Sequence, residues 1–168
     1  QLDTDGDGEG DVCDTDDDGD GVLDVDDFCP LNPDGKVGYG RKNSGTYKTE
    51  DAGVTWIKVN DDGYYNLSFP TENIGYGEIS CDLYKTVDGG NTWNLISDYG
   101  LAEISFPTVD IGYGINSCSV GGTYKTIDGG VTWIKVNDDS YNELSFPSEN
   151  IGYGSKGGST GTHTYKTV

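Results

Sequence analysis

Across residues 37–168 the apolar positions fall in short runs, rich in β-branched and aromatic side chains and separated by Gly, Pro, Asp and Asn. Runs of that kind predict strands joined by turns, with almost no helix. They also repeat. "YKTEDAGVTW", "YKTVDGGNTW" and "YKTIDGGVTW" begin at Tyr47, Tyr84 and Tyr124, and a fourth copy opens at Tyr165 as "YKTV". Between them recur "LSFPTENIGYG", "ISFPTVDIGYG" and "LSFPSENIGYG", and "KVGYG" ends at Gly40. The spacings are 37, 40 and 41 residues, and each period holds four runs: "LSFP", "IGYG", "TYKT" or "LYKT", and "TWIKV" or "TWNLI". Four strands in a period near forty residues are the signature of propeller blades.

The third and fourth runs are joined by "T-x-D-x-G-x-T-W". Asp51, Asp88 and Asp128 can accept hydrogen bonds from the backbone of their own turn, and the Gly supplies a positive φ. Trp56, Trp93 and Trp133, all three Trp of the chain, sit in this turn and are expected to plug the core. The motif resembles the Asp-box of bacterial neuraminidase (BNR) repeats, found in sialidases, sortilin-type receptors and photosystem assembly factors. Strand order and the "IGYG" run look most like the last of these. The resemblance spans roughly residues 37–168 and implies a β-propeller fold, with the Asp-box as a folding element remote from any ligand.

The predicted strands number three before Asn60, two sets of four, and three after Tyr141, or fourteen in all. A closed propeller usually needs four to eight blades, so the terminal edges are expected to be exposed. The expected class is therefore all-β: an incomplete propeller or open array of four-stranded blades, with a flat or stacked β-solenoid as the alternative. Three forms follow: a piece of a longer propeller, two copies sharing twice fourteen strands as seven blades, or a fibre in which one copy completes the next.

Charge divides the chain. Of 30 acidic residues, 14 lie in residues 1–36 against Lys36 alone, a balance of −13; residues 37–168 carry the other 16 against nine bases, or −7. Such a surface repels phosphate backbones and anionic lipid, which argues against nucleic acid and membrane headgroups as partners. No apolar run approaches the length of a membrane span, so no membrane insertion is expected. Neither a signal peptide nor an initiator Met is visible, as in a mature or excised fragment.

Residues 1–36 fit the spacing of a calcium loop twice. The first pass gives Asp3, Asp5, Asp7, the Glu9 carbonyl, Asp11 and Asp14, with Gly8 at the turn. The second gives Asp16, Asp18, Asp20, the Val22 carbonyl, Asp24 and Asp27, with Gly21 at the turn. Without a cation these carboxylates repel one another, and Ca²⁺ replaces the core the segment lacks. "QLDTDGDGEGDVCDTDDDGDGVLDVDDFCPLNPDGK" also resembles a thrombospondin type 3 repeat. That resemblance implies Ca²⁺ binding by these aspartates, a Cys13–Cys29 bridge and a metal-dependent stalk beside a larger domain. Four Cys allow three pairings. Cys81 and Cys118 each stand four residues after a "GYG", and their equivalence favours a second bridge between repeats. An even Cys count beside these motifs favours a secreted, extracellular or cell-surface setting.

Candidate chemistry is sparse. Sialidase action needs several arginines to clamp the sugar carboxylate, and Arg41 is the only one. Glu72, Asp110 and Glu149 recur at equivalent positions before "IGYG", and Asp61, Asp62, Asp138 and Asp139 lie in "NDD" turns. A catalytic pair is normally singular rather than copied into every repeat, so these read as solvated loop acids. His163 has no evident partner. "Asn66-Leu67-Ser68" is a glycosylation sequon in a strand where Leu67 and Phe69 should face inward and Asn66 outward.

The expected protein is not an enzyme. It is a calcium-stabilised structural or adhesive repeat protein, with a linker at residues 1–36 and a repeat domain at residues 37–168, that forms homo-oligomers or fibres or links domains. The alternative is a glycan- or protein-binding propeller using Tyr64, Tyr65, Tyr99 and Tyr141, within a larger secreted protein or hydrolase.

Overall fold

The computed structural model describes residues 37–116, 121–158 and 161–167. The predicted calcium ligands, Cys13, Cys29 and Cys118 lie outside these residues. Among the described residues there are fourteen strands and no helix. Blade 1 holds β1 (Gly38–Lys42), β2 (Gly45–Thr49) and β3 (Ile57–Asn60). Blade 2 holds β4 (Tyr65–Ser68), β5 (Gly75–Ile79), β6 (Asp82–Thr86) and β7 (Asn94–Ser97). Blade 3 holds β8 (Glu103–Ser105), β9 (Gly112–Ile115), β10 (Thr123–Thr126) and β11 (Ile134–Asn137), and blade 4 holds β12 (Glu143–Ser145), β13 (Gly152–Gly158) and β14 (Gly161–Thr167).

Each blade is an antiparallel meander in sequence order. The predicted runs map onto it one to one: "LSFP" onto β4, β8 and β12, "GYG" onto β1, β5, β9 and β13, and the Tyr-Lys-Thr run onto β2, β6, β10 and β14. Blade 1 therefore starts at the second strand type and blade 4 stops at the third. First strands of successive blades lie side by side, β4 beside β8 and β8 beside β12.

The glycines of "IGYG" are required by packing. A Cβ on Gly75 would collide with the Phe69 ring, and the same holds for Gly112 against Phe106 and Gly152 against Phe146. The absent side chain lets the aromatic ring of one strand lie flat over the next.

Three blade junctions repeat one design. Tyr39, Tyr76 and Tyr113 stack on Phe69, Phe106 and Phe146 of the following blade, with ring centroids 3.5, 3.6 and 3.6 Å apart. Their hydroxyls donate to the carbonyls of Glu72, Val109 and Glu149 at 2.6, 2.5 and 2.6 Å. At the last two junctions the Phe106 and Phe146 N–H groups donate to Ser68 and Ser105 Oγ, both at 2.9 Å. The buried core runs through blades 2 and 3: Tyr76, Leu83, Leu101, Ile104, Phe106, Tyr124 and Trp133.

Asn66 departs from its expected outward position. Its φ is +48°, and the β4–β5 register shifts between Tyr65 and Ser68. The bulge breaks the two-residue alternation. It turns the amide so that Nδ2 donates to the Ala102 carbonyl of blade 3 and, at 3.4 Å, to Glu78 Oε1 of its own blade. Both polar ends of the sequon, Asn66 and Ser68, are thus engaged in the contact with the next blade.

Candidate functional site

The Asp-box turns are built identically in blades 1 to 3. In blade 3, Asp128 Oδ1 accepts the Thr132 N–H at 2.9 Å and the Thr126 hydroxyl at 2.7 Å, and Oδ2 accepts the Thr132 hydroxyl at 2.5 Å. Thr126 Oγ1 in turn accepts the Gly130 N–H at 3.0 Å, and the Trp133 indole N–H donates to the Gly130 carbonyl at 2.9 Å. Asp88 with Thr86 and Thr92, and Asp51 with Thr49 and Thr55, repeat the pattern. The hydroxyl and amide of Thr132 hold the Asp128 carboxyl down at about 2, and the corresponding threonines lower Asp51 and Asp88. The backbone donors were expected. The two threonine hydroxyls were not, although "T-x-D-x-G-x-T-W" displays both.

The three tryptophans differ in cover. Trp133 is 7 % exposed and lies edge-on to Phe106 at 6.0 Å; Trp93 stacks on Tyr64 at 4.2 Å and lies edge-on to Phe69 at 5.9 Å. Trp56 is 46 % exposed, and among the described residues blade 1 has no strand of the first type to bring a Tyr and a Phe over it. A hollow of about 330 Å³ opens there, lined by Gly40, Arg41, Lys42, Tyr47 and Trp56.

Blade 4 shows the opposite deficiency. Among the described residues it has the first-strand aromatics but no fourth strand, and nothing pairs with the outer edge of β14. A cavity of about 520 Å³ adjoins that edge, with Tyr141, Phe146, Gly154 and Tyr165 among its walls. Tyr153, the counterpart of Tyr39, Tyr76 and Tyr113, is 41 % exposed and has no stacking or hydrogen-bond partner among the described residues.

The candidate acids are absorbed by turns. Asp61 pairs with Lys58 at 2.6 Å, Asp138 with Lys135 at 2.7 Å, and Asp139 with Lys156 at 2.6 Å. Asp62 and Asp139 accept threonine hydroxyls through their carbonyls. Glu72 and Glu149 also serve through carbonyl oxygens, but their true counterpart is Val109: Asp110 aligns with Asn73, both accepting a glycine N–H from the Asp-box turn at 2.9 and 3.0 Å. Arg41 lies over the Tyr65 ring at 3.8 Å and donates through Nε to the Gly63 carbonyl.

Of the proposed sugar-stacking tyrosines, Tyr64 is 4 % exposed beneath Trp93, and burial pushes its phenol up to about 12. Its position is a core position. Tyr65 and Tyr99 are exposed and Tyr141 lines the blade 4 cavity. Sequence reading passed over Glu78, Glu103 and Glu143 near the inner strands. Burial raises the Glu78 and Glu103 carboxyls, and Glu143 and Glu78 add to the rise at Glu103. Among the described residues no His, Cys, Asp and Glu group is arranged to hold a metal, and no helix is long and apolar enough to cross a membrane.

Residues 2–36 match the thrombospondin type 3 repeat family. No curated protein matches the sequence. Among solved structures, the YCF48 protein bound to a D1 peptide is 25 % identical, with a TM-score of 0.53, and aligns over 79 % of this chain and 48 % of its own. A GH74 enzyme from Niastella koreensis is 19 % identical with a TM-score of 0.60, over 83 % of this chain and 27 % of its own. An ancestral GH74 enzyme is 16 % identical with a TM-score of 0.57, over 78 % and 21 %. All three are β-propellers. The repeats are propeller blades. The chain spans between a fifth and a half of these larger proteins, and the solenoid alternative is set aside.

Proposed function

We propose that the chain is an extracellular structural module in which a calcium-bound thrombospondin type 3 segment anchors a row of propeller blades whose open edges join further copies. The observation carrying this reading is the contrast between middle and end blades. Tyr76 and Tyr113 are 0 and 8 % exposed at completed junctions, whereas Trp56, Tyr153 and Tyr165 are 46, 41 and 47 % exposed beside unpaired strand edges. Open edges next to apolar rings are templates for β-addition.

Strand types favour one form of assembly. Among the described residues blade 1 has no first strand and blade 4 no fourth, and neither has a spare to lend. Two copies therefore cannot complete each other as seven four-stranded blades by simple exchange. Edge-to-edge pairing, β14 of one copy beside β1 of the next, propagates as a heterologous array.

The ligand set Asp3, Asp5, Asp7, Asp11, Asp14 with Asp16, Asp18, Asp20, Asp24 and Asp27 is all hard oxygen, the chemistry Ca²⁺ requires. Thrombospondin type 3 repeats occur in extracellular proteins, which supports secretion, as does a disulfide at Cys81. We assign its partner as Cys118. The proposal includes no catalysis: the loop acids Asp61, Asp138 and Asp139 are engaged in ion pairs, and likeness to GH74 enzymes at 16 and 19 % identity extends to fold.

The test is sedimentation velocity and negative-stain microscopy of the whole chain in Ca²⁺ and in EGTA. Filaments or larger species in Ca²⁺ that dissolve in EGTA support the reading; single particles under both conditions overturn it. A second reading, a peptide-binding propeller, draws on the peptide held by the 25 %-identical YCF48 structure.

A further inference from the structure

We infer that the disulfide at Cys81 is a redox latch on the junction between blades 2 and 3. This goes beyond the assembly reading and does not depend on it.

The turn that carries the latch is under strain. Ile79 pairs with Asp82, so Ser80 and Cys81 form a two-residue hairpin loop between β5 and β6. Their φ angles are +56° and +71°. Two positive φ values in such a loop define the type I′ turn, whose steric demands Asn-Gly meets and Ser-Cys does not. The matching loop of blade 1, Asn43-Ser44, has a positive φ only at Asn43, a residue type that tolerates it. Two attachments hold the strained turn in place. One is the disulfide at Cys81. The other is a hydrogen bond from the Cys81 N–H to Glu78 Oε2 at 3.2 Å.

Glu78 carries the constraint across the blade. It is 8 % exposed, and burial pushes its carboxyl up while the Cys81 N–H pulls it down. Its Oε1 accepts Asn66 Nδ2 at 3.4 Å, and the same amide donates to the Ala102 carbonyl of blade 3. Asn66 itself sits at φ +48° in the β4 bulge. Three of the five non-glycine residues with positive φ among the described residues thus lie on one path, from the disulfide to the blade junction. Such conformations persist only while the surrounding structure over-determines them. The path is also singular. Repeat register puts Arg41, Ile115 and Ser155 where Glu78 stands, and Glu103 and Glu143 where Asn66 stands. A device that only built the blade would recur in each repeat, as the Asp-box does.

A dithiol reductant opens the latch. Its two S–H groups close to a disulfide while the protein's S–S bond becomes two thiols, so two electrons and two protons pass to the protein. With the sulfur released, the turn leaves its type I′ form and the Cys81 N–H withdraws from Glu78. Asn66 then loses the carboxylate that orients its amide toward Ala102, and the junction loosens. Reoxidation closes it again.

The test is hydrogen exchange of the intact chain in Ca²⁺, read residue by residue by NMR at a concentration too low for copies to assemble, with and without dithiothreitol. Reporter and control are built in: the Phe106 N–H donates to Ser68 Oγ across the junction of blades 2 and 3, and the Phe146 N–H to Ser105 Oγ across the next. Reduction should speed exchange at Phe106 at least about tenfold and leave Phe146 unchanged. Ser80→Asn combined with Cys81→Gly gives the turn its preferred Asn-Gly without the sulfur. In that variant Phe106 should stay protected with and without dithiothreitol, which also controls for reduction of the other cysteines. An unchanged Phe106 amide, or a double variant that exchanges like the reduced wild type, would overturn the inference. Equal acceleration at Phe106 and Phe146 would overturn it too, leaving the disulfide a general constraint on the chain.

Discussion

At the scale of the residue, the Asp-box aspartates are hydrogen-bond hubs rather than ligands for anything outside the turn. Asp128 receives three bonds from two threonines, which favours its charged form and holds the carboxyl at about 2 against an ordinary value of 3.8. A carboxyl lowered in the folded state contributes stability above its unfolded value, and that contribution disappears as pH falls toward its folded value. Asp128→Asn should therefore lower the urea midpoint at neutral pH, by about 1 kcal/mol for the weakened bonds. The difference from wild type should shrink as pH falls from 4 toward 2. A difference that stays constant through that window would remove the charge from the explanation. These positions were legible because Thr, Asp, Gly and Trp at fixed offsets encode a turn by chemistry alone. Asn66 was illegible for the opposite reason: a positive φ on a non-Gly residue is set by the bulge and by the neighbouring blade, neither of which appears in a two-residue alternation.

At the scale of the element, strand existence and order could be read from the repeated runs, but cover could not. Tyr64 and Tyr99 look alike as residues of the turn before a first strand, yet one is sealed under Trp93 and the other is 41 % exposed. Trp93 of the same blade covers Tyr64, whereas in blade 3 Leu101 takes the equivalent buried place and leaves Tyr99, two residues earlier, at the surface. The same logic separates Tyr76 from Tyr153. Tyr76 donates to the Val109 carbonyl at 2.5 Å and stacks on Phe106, while Tyr153 occupies the equivalent place on the last blade without such partners among the described residues. Tyr76→Phe should cost about 1 kcal/mol in a urea titration, since the ring stays and one hydrogen bond goes. Tyr153→Phe should leave the midpoint of the dispersed chain unchanged, and equal losses in the two variants would mean that Tyr153 already has a partner.

At the scale of the whole molecule, the two segments are stabilised by different physics. The blades bury aromatic stacks and Asp-box turns, with no metal-holding group among their described residues. The first 36 residues have 14 acids, one base and few apolar side chains. Neighbouring carboxylates about 4 Å apart repel by about 4 kcal/mol per pair at an effective dielectric near 20, so cation binding and ordering of this segment should be one event. At a concentration too low for copies to assemble, adding Ca²⁺ to the EGTA-treated chain should change the far-ultraviolet circular dichroism and compact the particle in the same titration. The urea midpoint of the blades, followed by tryptophan fluorescence, should stay where it was, because Trp56, Trp93 and Trp133 all report from the blades. Asp18→Asn should shift the calcium midpoint to higher concentration without touching that urea curve. No spectral change up to millimolar Ca²⁺ would reject the loop assignment. A blade midpoint that moves with Ca²⁺ would show instead that the two segments share an interface, and that the acidic segment braces the blades as well as linking them.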